Sequence, residues 1–171
     1  MEAYIFVCYS RDDERLVTQV VRLLRAAVAS VPSVTGNHWQ FVYQDLDHIP
    51  PGADWEAHID DAIGRAERVF VFWCHHAARS EQVKREVQLA AGQAKIIVPV
   101  LLDEAPLASY LARSNGVDLR SLGSHLPQGQ NLVGAGGRGA RDIIAAAFAP
   151  TLGIARDAME RNLAAYDPHA D

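Results

Sequence analysis

Near-continuous apolar runs alternate with amphipathic segments along the first two thirds of this chain. Four of the runs have the length and composition of strands that are buried on both faces. They are residues 4–8, 41–43, 69–73 and 96–102. The segments between them repeat apolar residues at the spacing of a helix. The alternation predicts an α/β fold with a doubly wound parallel sheet and helices on both of its faces.

Capping residues and apolar stripes mark the starts of three helices. Ser10, with Asp13 three residues later, has the pattern of a capping box, and Ser80 is expected to be the N-cap of the third helix. The second helix begins at about Asp54. Its predicted apolar face consists of Trp55, Ile59, Ala62 and Ala66. Trp55 is therefore predicted to anchor this helix to the core.

The second half of the chain is less regular. Residues 104–138 show little periodicity and are rich in glycine, serine and asparagine. Only a short helix near residues 107–113 and a weak strand at 131–133 are predicted there. Further helices are predicted at about residues 139–148 and 154–166.

Length and charge restrict the class of protein. The 171 residues are enough for one compact domain, which is assigned to residues 1–150, with a C-terminal helical extension or linker at residues 151–171. The net charge is −5, and no run of lysine or arginine exceeds two residues. Neither nucleic acid nor an anionic membrane is therefore an expected partner. No apolar run reaches the roughly 18 residues that span a bilayer.

The cysteines and the paired histidines do not suggest a metal centre. Cys8 and Cys74 each close a predicted strand and lack the spacing of metal ligands. His75 and His76 are adjacent, and neighbouring side chains in an extended segment point apart, so no metal site is expected. Two thiols in a chain without a signal peptide indicate a reducing compartment, and the protein is predicted to be cytoplasmic.

Glu86 is a candidate reactive acid in the third helix. The inward face of that helix is predicted to contain Val83, Val87, Ala90 and Ala94. Glu86 lies roughly 60° from this face, given about 3.6 residues per helical turn. A carboxylate at such an edge can be held towards a cleft by its neighbours and still reach solvent. Most helical glutamates are ordinary surface residues, so the spacing alone is weak evidence.

Three polar segments follow three of the predicted strands. Residues 9–11 follow the first strand, residues 45–51 the second and residues 80–86 the third. In a doubly wound sheet, ligands bind outside the carboxyl ends of the strands, where the strand order reverses. The three segments are therefore expected to form one pocket.

The same segments carry a family resemblance. They contain the runs YIFVCYSRD at residues 4–12, DLDHIPPGADW at 45–55 and SEQVKRE at 80–86. In these motifs the chain resembles a Toll/interleukin-receptor (TIR) domain of the bacterial type. Such domains have a first strand that runs from phenylalanine to tyrosine-serine, an acidic Ile-Pro-Pro-Gly loop before a Trp-initiated helix, and a serine six residues before a glutamate. The resemblance implies a flavodoxin-like, five-stranded sheet in the order 2-1-3-4-5.

The resemblance also implies an activity. TIR domains that are enzymes cleave the bond between nicotinamide and ribose in NAD⁺, and their essential glutamate matches Glu86 by its place six residues after Ser80. NAD⁺ is thus the implied substrate, and no cofactor is implied. The product stays open between ADP-ribose and a cyclic ADP-ribose isomer. Family membership further implies an effector of bacterial innate immunity, such as antiphage defence, or of virulence.

Roles in substrate binding and association follow from the same resemblance. The expected substrate-binding residues are Tyr9, Ser10, Arg11, Asp45, Asp47, Ser80 and Gln82. Arg11 is the best candidate for a contact with the pyrophosphate, and Tyr9 for a contact with a ring. The loop expected to mediate TIR–TIR contacts contains Ile49, Pro50, Pro51 and Gly52. Self-association, or contact with another TIR or sensor domain, is therefore expected.

The third helix departs from the family pattern. Many members have tryptophan four residues before the glutamate and cysteine directly after that tryptophan, whereas this chain has Gln82 and Val83. Gln82 shares a side of the helix with Glu86, but a stacking surface is lost. Two alternatives stay open: a non-catalytic signalling or scaffold module that acts by TIR–TIR interaction, and a relative of the nucleoside deoxyribosyltransferases with a nucleophilic glutamate.

Overall fold

Five parallel strands form a single sheet in the computed structural model, which describes residues 1–43, 50–122, 138–167 and 169. The strands are β1 (Glu2–Cys8), β2 (His38–Tyr43), β3 (Arg68–Trp73), β4 (Ile96–Leu101) and β5 (Val117–Asp118). Their order is β2-β1-β3-β4-β5, and every neighbouring pair is parallel. The predicted doubly wound sheet and its 2-1-3-4-5 order are confirmed.

Helices cover the sheet on both faces. Those in the described part of the chain are α1 (Glu14–Val28), α2 (Trp55–Arg65), α3 (His75–Ala78), α4 (Glu81–Gly92), α5 (Arg138–Leu152) and α6 (Arg156–Ala165). A short 3-10 turn at Arg11–Asp13 leads into α1. None of the helices in the described ranges is both long and apolar enough to cross a membrane.

The sheet divides the hydrophobic core into two layers, because alternate residues of a strand face opposite sides. Ile5 and Phe70 belong to the layer formed with α1, α5 and α6. Phe6 and Val71 belong to the layer formed with α2 and α4. In the first layer Phe70 stacks on Phe148 of α5, with 5.7 Å between the ring centroids. Burial on both faces explains why the central strands are continuous apolar runs.

Helix α6 packs into the first core layer. Its Met159 and Leu163 are buried there. Asn162 of the same helix donates hydrogen bonds to the carbonyl oxygens of Ala27, at 2.9 Å, and Ala29, at 3.2 Å, near the end of α1. The helix predicted at residues 154–166 is thus present at Arg156–Ala165. The domain boundary at residue 150 stays a prediction.

Two elements in the second half differ from the prediction. The fifth strand is Val117–Asp118, whereas the strand predicted at 131–133 lies outside the described residues. Residues 109–113 form turns instead of the helix predicted near 107–113. A two-residue strand has no periodicity to detect. In the turn segment, Leu111 is fully buried and Tyr110 packs edge-on against Trp73. Two adjacent residues do not form the stripe at three- and four-residue spacing that stabilises a helix.

Trp55 and Ala94 are exposed, although the sequence predicted both to face the core. Trp55 is the first residue of α2 and is 37% exposed, while Ile59 and Ile63 attach that helix to the sheet. Ala94 follows the end of α4 and has a φ of +55°, so it has left the helical path. In both cases the predicted apolar stripe extended beyond the turns that contact the sheet.

Candidate active site

A cleft of about 340 Å³ lies at the carboxyl ends of β1 and β3. Its lining residues are Tyr9, Ser10, Arg11, Asp12, His76, Arg79, Ser80 and Gln82. The volume lies within the range of small-molecule sites. The structure thus brings the segment after β1 and the start of α4 into one cleft, as expected from the carboxyl-end position of ligand sites in such sheets.

Five of the seven expected substrate-binding residues line the cleft: Tyr9, Ser10, Arg11, Ser80 and Gln82. The other two, Asp45 and Asp47, lie outside the described residues, as does Ile49. Pro50, Pro51 and Gly52 of the predicted interaction loop are exposed. Gly52 has a φ of +83°, a conformation that favours glycine. The roles of all these residues in binding and association stay predictions.

The two serines of the cleft cap the helical segments that begin there. The Ser10 hydroxyl accepts a hydrogen bond from the Asp12 N–H at 3.4 Å, and the Ser80 hydroxyl accepts one from the Val83 N–H at 3.2 Å. Both serines therefore satisfy backbone donors that have no partner within the helix. The predicted capping box is wrong, because the Asp13 carboxylate lies against Cys74 and His76 instead.

Glu86 is buried, although the sequence predicted a position that borders solvent. Its exposed fraction is 2%. Gln82 Nε2 donates a hydrogen bond to Glu86 Oε1 at 2.7 Å, and Gln82 is the residue of this pair that lines the cleft. Helix α4 contacts α2 as well as the sheet, so more of its surface is covered than the apolar stripe. Seen from the cleft, Glu86 therefore lies behind Gln82.

The thiol of Cys8 lies next to this carboxylate. Burial, followed by the charge of Glu86 and a hydrogen bond with it, raises the pKa of Cys8 well above its ordinary range. Cys8 is therefore a neutral thiol beside the carboxylate. The thiol and the Gln82 amide give the buried Glu86 polar neighbours, which lowers the cost of its removal from water.

The side chains that line the cleft include two arginines, Arg11 and Arg79, and one histidine, His76. Arg11 and Arg79 are exposed, and Arg79 Nε donates to the His75 carbonyl oxygen at 3.3 Å. Guanidinium groups match the geometry of phosphate oxygens. Sequence reasoning named Arg11 and missed Arg79, His76 and Asp12. A usable signal for His76 and Arg79 was their place directly after β3, at the edge of the sheet where ligands bind.

His75 and His76 do not point apart, which corrects the geometric argument made from the sequence. Their ring centroids are 4.1 Å apart. His75 Nδ1 pairs with Asp103, and His76 Nδ1 pairs with Asp13 at 3.0 Å. The two residues begin helix α3, where successive side chains are about 100° apart rather than on opposite faces.

Both thiols are expected to resist alkylation in the native protein. Burial, followed by the hydrogen bond to Asp13, raises the pKa of Cys74 from 9.0 to about 12, which lowers the thiolate fraction at pH 8 by about 10³-fold. Cys8 is fully buried. Intact mass measured after iodoacetamide treatment at pH 8 should show no adduct before denaturation and two after it. Modification of either native thiol at the rate seen in denaturant would contradict this prediction.

The family model for the TIR domain matches residues 5–130. This chain belongs to the TIR-domain family. The TIR domain of the Toll-related receptor TRR-2 from Hydra magnipapillata has a similar fold, with a TM-score of 0.53 and 18% identity over 70% of this chain and 86% of that one. At that identity the likeness concerns the fold alone.

Two weaker structural similarities have TM-scores under 0.5. The CMP N-glycosidase BcmB of Clostridium botulinum has a TM-score of 0.45 and 15% identity, over 72% of the TIR chain and 99% of its own. The TIR domains of the activated Roq1 resistosome, which recognises the pathogen effector XopQ, have a TM-score of 0.40 and 20% identity. That similarity covers 95% of this chain and 84% of the Roq1 chain. None of the curated protein sequences matches this TIR domain.

Proposed function

We propose that this TIR domain is an NAD⁺ glycohydrolase in which Glu86 is the catalytic residue. The observation that carries the proposal is the hydrogen bond from Gln82, which lines the cleft together with Arg11 and Arg79, to Glu86 behind it. Family membership supports it, because Glu86 stands six residues after Ser80, as in the TIR domains that cleave NAD⁺. On the same basis the protein is an effector of bacterial defence or virulence, and its two free thiols support a cytoplasmic location.

The proposed reaction suits a site with one carboxylate. Nicotinamide leaves the ribose as a neutral molecule, because the pyridinium takes up the electrons of the broken bond, so no general acid is needed. Ordinary glycoside hydrolysis differs, because it uses two carboxylates. The ribose develops oxocarbenium character, and the Glu86 carboxylate stabilises that positive charge in the transition state. Arg11 and Arg79 bind the pyrophosphate oxygens.

Access to Glu86 requires a change at Gln82. The Gln82 amide occupies Glu86 Oε1 at 2.7 Å and lies on the cleft side of it. Rotation of the Gln82 side chain would open the carboxylate to a ribose hydroxyl. A rotamer change of a half-buried side chain is fast compared with ordinary turnover, so this step does not limit the rate.

The direct test is incubation of concentrated protein with NAD⁺, followed by chromatography of the products. We expect release of nicotinamide together with ADP-ribose or a cyclic isomer. A parallel incubation with a deoxynucleoside and a free base tests the transferase alternative and is expected to show no exchange. No nicotinamide at any protein concentration would favour the non-catalytic signalling module instead.

Activity is expected to depend on self-association through the loop that contains Ile49. Specific activity should rise with protein concentration, and Ile49→Asp should lower it at each concentration, because a charged side chain weakens an apolar contact between protomers. Val34→Asp is the matched control, because Val34 is also apolar and is 88% exposed on the α1–β2 connection. Sedimentation velocity of the same samples measures association. Proportionality between rate and concentration over a hundredfold range, with an active Ile49→Asp variant, would mean that the monomer is competent.

A further inference from the structure

Three potential metal ligands meet at one side of the cleft. They are the carboxylate of Asp13, the thiol of Cys74 and the imidazole of His76, and their ligand atoms all lie within 4.8 Å of one another. Cys74 Sγ is 2.7 Å from Asp13 Oδ2, and His76 Nδ1 is 3.0 Å from Asp13 Oδ1. In a tetrahedral zinc site with ordinary bond lengths the ligand atoms are about 3.3–3.6 Å apart. Small side-chain rotations therefore suffice to convert the hydrogen-bonded group into a set of zinc ligands.

Two segments of the fold hold the three ligands in place: the 3-10 turn before α1 and the start of α3. Cys74 directly follows β3 and is the N-cap of α3, where its sulfur accepts a hydrogen bond from the Ala77 N–H at 3.4 Å. Asp13 ends the 3-10 turn before α1, and its side chain is 12% exposed. His76 is in the first turn of α3 and also lines the cleft. The group therefore joins the ends of two neighbouring strands and opens to solvent on the His76 side.

We propose that Asp13, Cys74 and His76 form a binding site for Zn²⁺ on the wall of the cleft. The donor set of one sulfur, one nitrogen and one oxygen is suited to zinc. Three protein ligands leave a fourth position, which takes water or an anionic group of a ligand that enters from the cleft beside His76. On binding, Zn²⁺ replaces the Cys74 thiol proton, which is released to solvent, and the neutral imidazole binds through Nδ1.

The site does not depend on NAD⁺ cleavage. In the metal-free protein the thiol and the imidazole both pair with Asp13, so the three ligand atoms are already gathered before a metal arrives. Among the described residues, His75 is not in the group whose ligand atoms lie within 4.8 Å of one another, and its Nδ1 pairs with Asp103. Cys8, the other thiol, is not a member of this group, and its Sγ contacts the Val83 carbonyl oxygen instead.

The test uses the tag-free 171-residue chain, a phosphine reductant that does not bind zinc, and Zn²⁺ or Co²⁺ alone. Calorimetry is expected to show one Zn²⁺ per chain. Co²⁺ is expected to produce a thiolate-to-cobalt charge-transfer band and the visible bands of a tetrahedral ion. Cys74→Ser should abolish the charge-transfer band, and His76→Ala should weaken Zn²⁺ binding by at least about tenfold, since it removes one of three ligands.

Asp13→Asn and His75→Ala complete the set. Asp13→Asn keeps the size of the side chain and should also weaken binding, which keeps the test valid if Cys74→Ser unfolds the protein. His75→Ala is the matched control, and its Zn²⁺ affinity should stay within about threefold of wild type, because it supplies no ligand. A cobalt complex without a thiolate band, or equal losses for His75→Ala and His76→Ala, would overturn the proposal.

Discussion

Glu86→Gln is expected to lower the rate of NAD⁺ cleavage by about 10²–10³, the usual loss when one electrostatic contact to a transition state is removed. The amide has nearly the same shape as the carboxylate, and its oxygen can still accept the hydrogen bond from Gln82 Nε2. The negative charge that stabilises the oxocarbenium ion is lost. Nicotinamide release under single-turnover conditions measures this effect on the chemical step.

Glu81→Gln is the matched control for this prediction. Glu81 is on the same helix and is exposed, so the same chemical change there should leave the rate within about twofold of wild type. Far-UV circular dichroism and the midpoint of urea unfolding should be close to wild type for both variants. A folded Glu86→Gln variant that turns over NAD⁺ within threefold of wild type would end the assignment of Glu86.

Leu163→Ala is expected to lower the free energy of unfolding by about 2–5 kcal/mol, the usual cost of this change in a core. Leu163 is 1% exposed and lies in the core layer shared by α1, α5 and α6. Alanine favours helix formation at least as well as leucine, so the loss reports packing rather than helix propensity. Urea unfolding followed by tryptophan fluorescence measures it. Trp39 reports on this region, because its indole N–H donates to the Leu152 carbonyl oxygen at 2.8 Å.

Arg161→Ala is the control on the same helix. Arg161 is 71% exposed in its side chain and pairs with Asp157 at 2.8 Å, and a surface pair of this kind contributes about 0–1 kcal/mol. A chain that ends at Gly153 is expected to lose more stability than Leu163→Ala, because it uncovers the α1 surface that α6 packs on. Equal stability of wild type and Leu163→Ala would mean that residues 151–171 are the extension or linker predicted from the sequence.

Local patterns in the sequence were enough to predict most elements of the sheet. Strands β1, β3 and β4 were recognisable because burial on both faces requires continuous apolar runs. The caps at Ser10 and Ser80 were recognisable because a serine hydroxyl placed just before a helical segment can accept a hydrogen bond from a backbone N–H of its first turn. Family resemblance added the strand order and singled out Glu86. All of these signals are contained in short stretches of chain.

Long-range packing decided what these patterns do not contain. The angle of Glu86 to the apolar stripe follows from the helical period, but its burial depends on contacts outside the helix, such as the one with Cys8 at the end of β1. In the same way, the exposure of Trp55 depends on how far the sheet extends beneath α2. A two-residue strand such as β5 is defined by its partner β4 rather than by its own sequence.

The sequence by itself determined the class of fold, most of the strands and the position of the candidate carboxylate, because each of these leaves a periodic or short-range pattern. Only the tertiary structure buried Glu86 and brought Asp13 to Cys74 and His76. Asp13 and Cys74 are 61 positions apart in the chain. They meet because β1 and β3 are neighbours in the sheet, and strand pairing of this kind depends on the packing of the whole domain.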